Sequence, residues 1–215
     1  DPNDKLRPSV TVPALRMRKH NGEKITALTC YDASFAAALE RAELDIALVG
    51  DSLGMVVQGQ DSTLPVTLEQ MVYHCKAVAR GLRTPLLIAD MPFMSYRDVP
   101  VAMDSATRLL AEGGAAMVKV EGAGWVVDVI KALAERDVPV CAHLGLTPQS
   151  VHKLGGYRVQ GKLEAQAQQL LEDAHAVSNA GADLLVLECV PAELATRITR
   201  EVPIPTIGIG AGQMS

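Results

Sequence analysis

IALVGD (residues 46–51), LLIAD (86–90) and LLVLE (184–188) decide the fold: each is a short apolar run that ends on a carboxylate. Two further runs end on other polar groups. MVKV (117–120) contains Lys119 and leads into Glu121, and VPVCA (138–142) leads into His143. Runs this short and aliphatic read as strands buried on both faces, the pattern of a parallel sheet covered by helices. In such a sheet the strand ends share one rim. A polar group there costs desolvation energy unless it is paired, hydrated or bound to a metal. Five strand ends carrying such groups read as a site.

Helical patterns alternate with these runs. Residues 11–19 form a short helix, 24–30 a first strand, and 33–42 a helix capped by Asp32, with Phe35, Ala38, Leu39 and Ala42 on one stripe. After strand 46–50 and a long loop, a helix runs over 67–80, opened by a capping box of Thr67 and Gln70. Strands at 85–89, 116–120, 139–142, 184–187 and 205–209 are separated by helices at 99–112, 125–136, 163–180 and 192–201. Right-handed crossovers then give a parallel sheet with helices outside.

A doubly wound sheet and a (β/α)8 TIM barrel both fit this alternation. Polar residues at the ends of many strands favour the barrel, as does Cys30–Tyr31–Asp32, rather than a glycine-rich phosphate loop, after the first strand. The pattern yields seven strands, and a closed barrel needs eight. The expectation is therefore one barrel domain over residues 1–215, with a mobile arm at 1–10, whose eighth βα unit and C-terminal tail lie outside the chain.

Hydrophobic residues make up 48% and aromatics 3%, so the core is aliphatic and rich in alanine. A net charge of −5 gives no support for nucleic-acid or anionic-membrane binding, and the basic run Arg16, Arg18, Lys19 and His20 reads as a solvated helix face. Cys30, Cys75, Cys141 and Cys189 lack metal-knuckle spacing and read as small core residues in a reducing compartment. No stretch has signal-peptide or membrane-spanning character, so a cytoplasmic location is expected.

Asp51 and Asp90, at the ends of successive strands, make a hard-oxygen donor pair suited to magnesium, with open positions for water and substrate. Ser52 can donate to a substrate carboxylate or carbonyl, although Asp51 could equally cap a turn. Lys119 and Glu121 are two apart on one strand and face the same side. Lys119 reads as a structural ion pair with Glu121, a stabiliser of a substrate oxygen, or a Schiff-base amine. His143 reads as a substrate contact, and Glu188 as a partly desolvated base or a salt-bridge partner of Lys119. Gly208, Gly210 and Gly212 could let a ligand approach the backbone, and Gly155 to Gly161 reads as a loop over the rim. Together these residues describe metal-assisted enolate chemistry on a small 2-oxo acid.

Longer motifs then carry a specific resemblance. VGDSLGMVVQGQDSTLPVTLEQMVYH (49–74), ADMPFMSY (89–96), MVKVEG (117–122), VPVCAHLGLTPQSV (138–151), GGYRVQG (155–161), LLVLECVP (184–191) and IPTIGIGAG (204–212) closely resemble the ketopantoate hydroxymethyltransferases over about residues 11–212. The resemblance implies a (β/α)8 barrel, a cytoplasmic homodecamer and magnesium. It also implies transfer of a one-carbon unit from 5,10-methylenetetrahydrofolate to 3-methyl-2-oxobutanoate, yielding 2-dehydropantoate for pantothenate biosynthesis. By match to the family motifs, Asp51, Asp90 and Glu121 serve the metal or its water shell. Ser52, Lys119 and His143 contact the oxo acid, and Glu188 accepts the proton. The chain departs from the family where Gly161 runs directly into Lys162–Leu163–Glu164 and after Gly212, two places that bear on folate contacts and oligomer packing. Alternatives are a metal-dependent lyase or aldolase acting on another 2-oxo acid, of the phosphoenolpyruvate mutase or isocitrate lyase type, and a non-catalytic metal-binding barrel. The KKCGH-type loop of those lyases does not occur in the sequence.

Overall fold

A computed structural model describes residues 7–150, 152 and 159–213. Parts of the sequence reading therefore lie outside the described residues, namely 1–6 of the expected arm and 155–158 of the expected rim loop. Strands β1 (Ala27–Thr29), β2 (Ile46–Val49), β3 (Leu86–Asp90), β4 (Met117–Glu121), β5 (Val140–Gly145), β6 (Leu184–Glu188) and β7 (Thr206–Ile209) form one parallel sheet in sequence order. Helices α2 (Ala33–Arg41), α4 (Leu68–Gly81), α5 (Val99–Thr107), α6 (Val126–Ala134), α7 (Glu164–Asn179) and α8 (Ala192–Glu201) connect them, and α1 (Val12–Asn21) precedes β1.

The strand alternation separates two cores. Ala47, Leu87, Val118, Ala142 and Leu185 face outward into the large cluster under the helices. Ile46, Leu86, Ile88, Met117, Cys141, Leu184 and Val186 face inward, where Ala27 of β1 and Ile207 of β7 pack against the same cluster. First and last strands sharing one interior means that the sheet curls into a nearly closed barrel of seven parallel strands. The seam lies between β1 and β7, where Leu28 and Ile209 are exposed.

The basic run of α1 is the expected solvated face at Arg16 and His20, while Arg18 and Lys19 are half-buried. Arg16 pairs with Asp183 at 2.5 Å, Arg18 with Asp45 at 2.7 Å, and Lys19 donates to the Thr199 carbonyl at 2.6 Å. These latches seat Leu15 in the barrel interior at the N-terminal end of the strands, so α1 is a plug. Buried Asp45 also accepts from Arg7 and from the Thr26 amide and hydroxyl, which takes Thr26 out of the first strand and shortens it from the expected 24–30. Within the expected mobile arm, Arg7 is thus bound to Asp45, and the Val10 amide donates to the Thr84 carbonyl at 2.8 Å.

The capping box of Thr67 and Gln70 is formed, and Asp32 caps α2. The helix expected over 99–112 widens after Thr107 into a π-helical turn over Arg108–Glu112. The loop after β2 contains a short helix, α3 (Leu53–Val56).

Candidate active site

Inward-facing positions continue to the C-terminal rim. Register sets Asp90 opposite Lys119, Glu121 opposite His143, and Gly145 opposite Glu188. Every second residue of a strand shares a face, so Lys119 and Glu121 point inward together with Asp90, His143 and Glu188. Asp51 joins them from the turn beyond β2, where its amide donates to Asp90 Oδ2 at 2.9 Å. Gly50 makes that turn possible: a Cβ there would lie 2.8 Å from Ser52 Oγ and 3.4 Å from Asp90 Oδ2. At Gly145, with φ of 93°, a Cβ would collide with the Glu188 carbonyl at 2.2 Å, so glycine is required where β5 passes β6.

Lys119 Nζ lies 2.6 Å from Asp90 Oδ1 and 3.9 Å from Glu121 Oε1. Its principal partner is therefore Asp90, where sequence reading paired it with Glu121 or Glu188. Burial alone would lower the Lys119 pKa, but Asp90, Glu121 and Asp51 hold the ammonium well above its ordinary range. A lysine kept charged in this way is unsuited to the Schiff-base role. Lys119 Nζ also lies 3.1 Å from His143 Nδ1, and His143 Nε2 lies 3.1 Å from Glu188 Oε2. Burial and Lys119 act to lower the His143 pKa, but Glu121 and Glu188 raise it above its ordinary value. The Glu188 side chain remains 21% exposed and rests on His143.

The cluster carries more negative than positive charge. Burial, then Asp90 and Glu121, push the Asp51 carboxyl up to about 7. Glu121 stays below the usual carboxylate range: burial acts against this, but His143, Lys119 and the Gln149 amide more than offset it. Ser52 Oγ meets Tyr31 Oη at 2.7 Å, and His74 Nδ1 donates to the Tyr31 carbonyl at 2.8 Å, fixing the loop that carries the phenol.

Gln149 and Tyr96 are the residues that sequence reading missed. Gln149 Nε2 donates to Asp51 Oδ2 at 2.8 Å and to the Met91 carbonyl at 3.0 Å, and its backbone amide donates to Glu121 Oε2 at 3.0 Å. Tyr96 Oη donates to Gln149 Oε1 at 2.6 Å, and its ring stacks on exposed Trp125 at 5.9 Å between centroids. The LTPQS stretch after His143 carried the only signal, a polar side chain just beyond a strand end.

Glu121 Oε1 is buried without a hydrogen-bond partner, 3.5 Å from His143 Nδ1 and 3.9 Å from Lys119 Nζ, and Asp51, Asp90 and Glu121 together offer carboxylate oxygens of the kind that suit a hard divalent cation. Among the described residues no three His, Cys, Asp or Glu side chains form a ready-made cage. Magnesium does not need one, since it commonly takes one or two carboxylates and fills its octahedron with water and substrate. Below the rim the barrel holds a cavity of about 90 Å³ whose lining includes Lys119, Cys141, Val186 and Gly208. Cys30, Cys75 and Cys141 are buried as expected. Cys189 is not a core residue: it is only partly buried, in a left-handed turn after β6 with φ of 50°.

A parallel barrel with buried carboxylates, a charged lysine and a histidine at its C-terminal rim defines an enzyme of the α/β-barrel class built to bind a small oxygenated acid. Solved structures with the same fold include phosphonopyruvate hydrolase in complex with oxalate and Mg²⁺, with a TM-score of 0.69 and 16% identity, covering 92% of this chain and 71% of that one. Another is 2,3-dimethylmalate lyase, with a TM-score of 0.63 and 17% identity, covering 93% and 80%. At these identities the likeness is one of fold. Sequence relatives are far nearer. The 3-methyl-2-oxobutanoate hydroxymethyltransferase of Nitrosococcus oceani is 56% identical over 94% of this chain and 77% of the relative. That of Burkholderia thailandensis is 58% identical over 96% and 76%. The ketopantoate hydroxymethyltransferase family model matches residues 9–215, and the chain belongs to this family of transferases.

Proposed function

We propose that the protein transfers a hydroxymethyl group from 5,10-methylenetetrahydrofolate to 3-methyl-2-oxobutanoate, giving 2-dehydropantoate in pantothenate biosynthesis. The observation that carries this reading is the convergence of Asp51, Asp90, Lys119, Glu121, His143 and Glu188, from five successive strand ends, into one cluster with more carboxylates than cationic groups. Family membership supplies the identity of the two substrates.

Asp51 and Asp90 would hold Mg²⁺, with Glu121 ordering its water. When bound, the ion supplies Lewis acidity to the keto oxygen and an anchor for the carboxylate of the oxo acid. Ser52 and Lys119 meet the oxygens of the substrate, and the Lys119 ammonium offsets negative charge as the enolate develops. Glu188 takes the proton from C3, with His143 beside it, its Nε2 3.1 Å from the carboxylate. Both carbon–nitrogen bonds of the folate methylene break as water adds to that carbon, which brings it to the oxidation level of formaldehyde and releases tetrahydrofolate. C3 bonds to the freed carbon, and the oxygen from water becomes the new hydroxyl.

A cytoplasmic homodecamer belongs to the same proposal. It is supported by family membership, and for the location by the absence, among the described residues, of any helix long and apolar enough to cross a membrane. The deciding experiment is an assay of the purified protein with 3-methyl-2-oxobutanoate, 5,10-methylenetetrahydrofolate and Mg²⁺. 2-Dehydropantoate is the expected product, and its absence from folded protein refutes the assignment.

A further inference from the structure

We propose that Gln149 is a positioning residue for the cation and oxo-acid site, holding one oxygen each of Asp51 and Glu121 and so setting the direction of the other. The inference rests on the function proposed above.

Gln149 is buried, and every polar atom of its side chain is engaged. Only one orientation of its amide suits the surroundings. Nε2 faces two acceptors, Asp51 Oδ2 and the Met91 carbonyl, while Oε1 faces the Tyr96 hydroxyl. A flipped amide would set oxygen against oxygen at both Asp51 and Met91. Tyr96 Oη donates to Oε1 and accepts from the Glu121 amide at 3.3 Å, so the phenol locks the amide from behind.

The consequence falls on the carboxylates. Gln149 binds Asp51 Oδ2 through its side chain and Glu121 Oε2 through its backbone, one oxygen of each. The second oxygen of Glu121, Oε1, is buried without a hydrogen-bond partner, and holding Oδ2 of Asp51 on the Gln149 amide fixes the direction in which its other oxygen points. A lysine or arginine in place of Gln149 could bind the same oxygens but would cancel the charge that attracts a cation. A neutral amide fixes geometry and leaves the charge intact. One residue after β5 thereby couples the ends of β2 and β3 through its side chain and the end of β4 through its backbone.

Calorimetric titration of the wild type and of Gln149→Met with Mg²⁺ and 3-methyl-2-oxobutanoate tests this, since methionine keeps the length and removes the donors. We expect the variant to bind Mg²⁺ in the presence of the oxo acid at least about tenfold more weakly, the lower bound for loss of an outer partner of a metal ligand, with its melting temperature close to that of the wild type. Tyr96→Phe, which unlocks the amide without removing it, should weaken binding less, and should add nothing in the Gln149→Met background. Equal affinity in wild type and Gln149→Met overturns the inference, as do independent, additive losses in the double variant. If Gln149→Met fails to fold, unchanged affinity in Tyr96→Phe overturns it instead. No binding by the folded wild type refutes the proposed function itself, and the role of Gln149 falls with it.

Discussion

Lys119 Nζ lies 2.6 Å from Asp90 Oδ1, and both side chains are almost wholly buried on adjacent strands in direct register. A buried pair of this kind costs desolvation on both sides, so its retention at a barrel rim points to chemistry rather than stability. Lys119→Met should leave Asp90 as an uncompensated buried charge and destabilise the fold by about 3–5 kcal/mol. Urea unfolding checks this, and a shift near zero would mean that Asp90 finds another partner or takes up a proton.

Asp51→Asn and Asp90→Asn keep shape and remove charge. Each should weaken Mg²⁺ and oxo-acid binding together, because the carboxylates would hold the cation and the anionic oxo acid would bind through it. In calorimetry, unchanged metal affinity in both variants would place the ion elsewhere.

The raised Asp51 pKa has a sign that can be measured. Its ordinary value is 3.8, and in the fold it stands at about 7. Between these values the native protein binds a proton that the unfolded chain has released, so the contribution of this group to stability falls as pH rises. It is fully present below 3.8 and lost above about 7. Without divalent ions, wild-type stability minus that of Asp51→Asn should therefore decline from pH 4 to pH 8. A difference that is flat or rising over that window contradicts the assignment.

Glu188→Gln should bind 3-methyl-2-oxobutanoate and Mg²⁺ nearly as the wild type does, yet lose hydrogen–deuterium exchange at C3 of the oxo acid by about 100-fold or more. Proton NMR in deuterium oxide without folate isolates this step. Exchange at the wild-type rate would move the base elsewhere, with His143 next in line.

Burial pushes the Cys75 and Cys141 thiols up to about 12, so neither is a nucleophile near neutral pH. Cys189→Ala should retain turnover within about twofold, since the thiol lies outside the polar cluster and its loss is mainly one of packing. Complete loss of activity in a folded variant would give that thiol a chemical role.

The sequence by itself determined the strands, the helix caps and the polar strand ends. Those features are local: alternation with period two puts Lys119 and Glu121 on one face, and Thr67 and Gln70 sit three apart and cap the same turn. Family motifs extended that reading to the site residues. Tertiary structure alone decided which side chain meets which. Lys119 answers Asp90 rather than Glu188, Glu188 answers His143, and Arg16 and Arg18 of α1 find Asp183 and Asp45 at the barrel floor. Gln149 reaches Asp51 across 98 residues of chain, and no periodicity encodes that contact. It exists because barrel curvature brings the ends of β2 and β5 to one rim, where a buried carboxylate must find a donor or a cation.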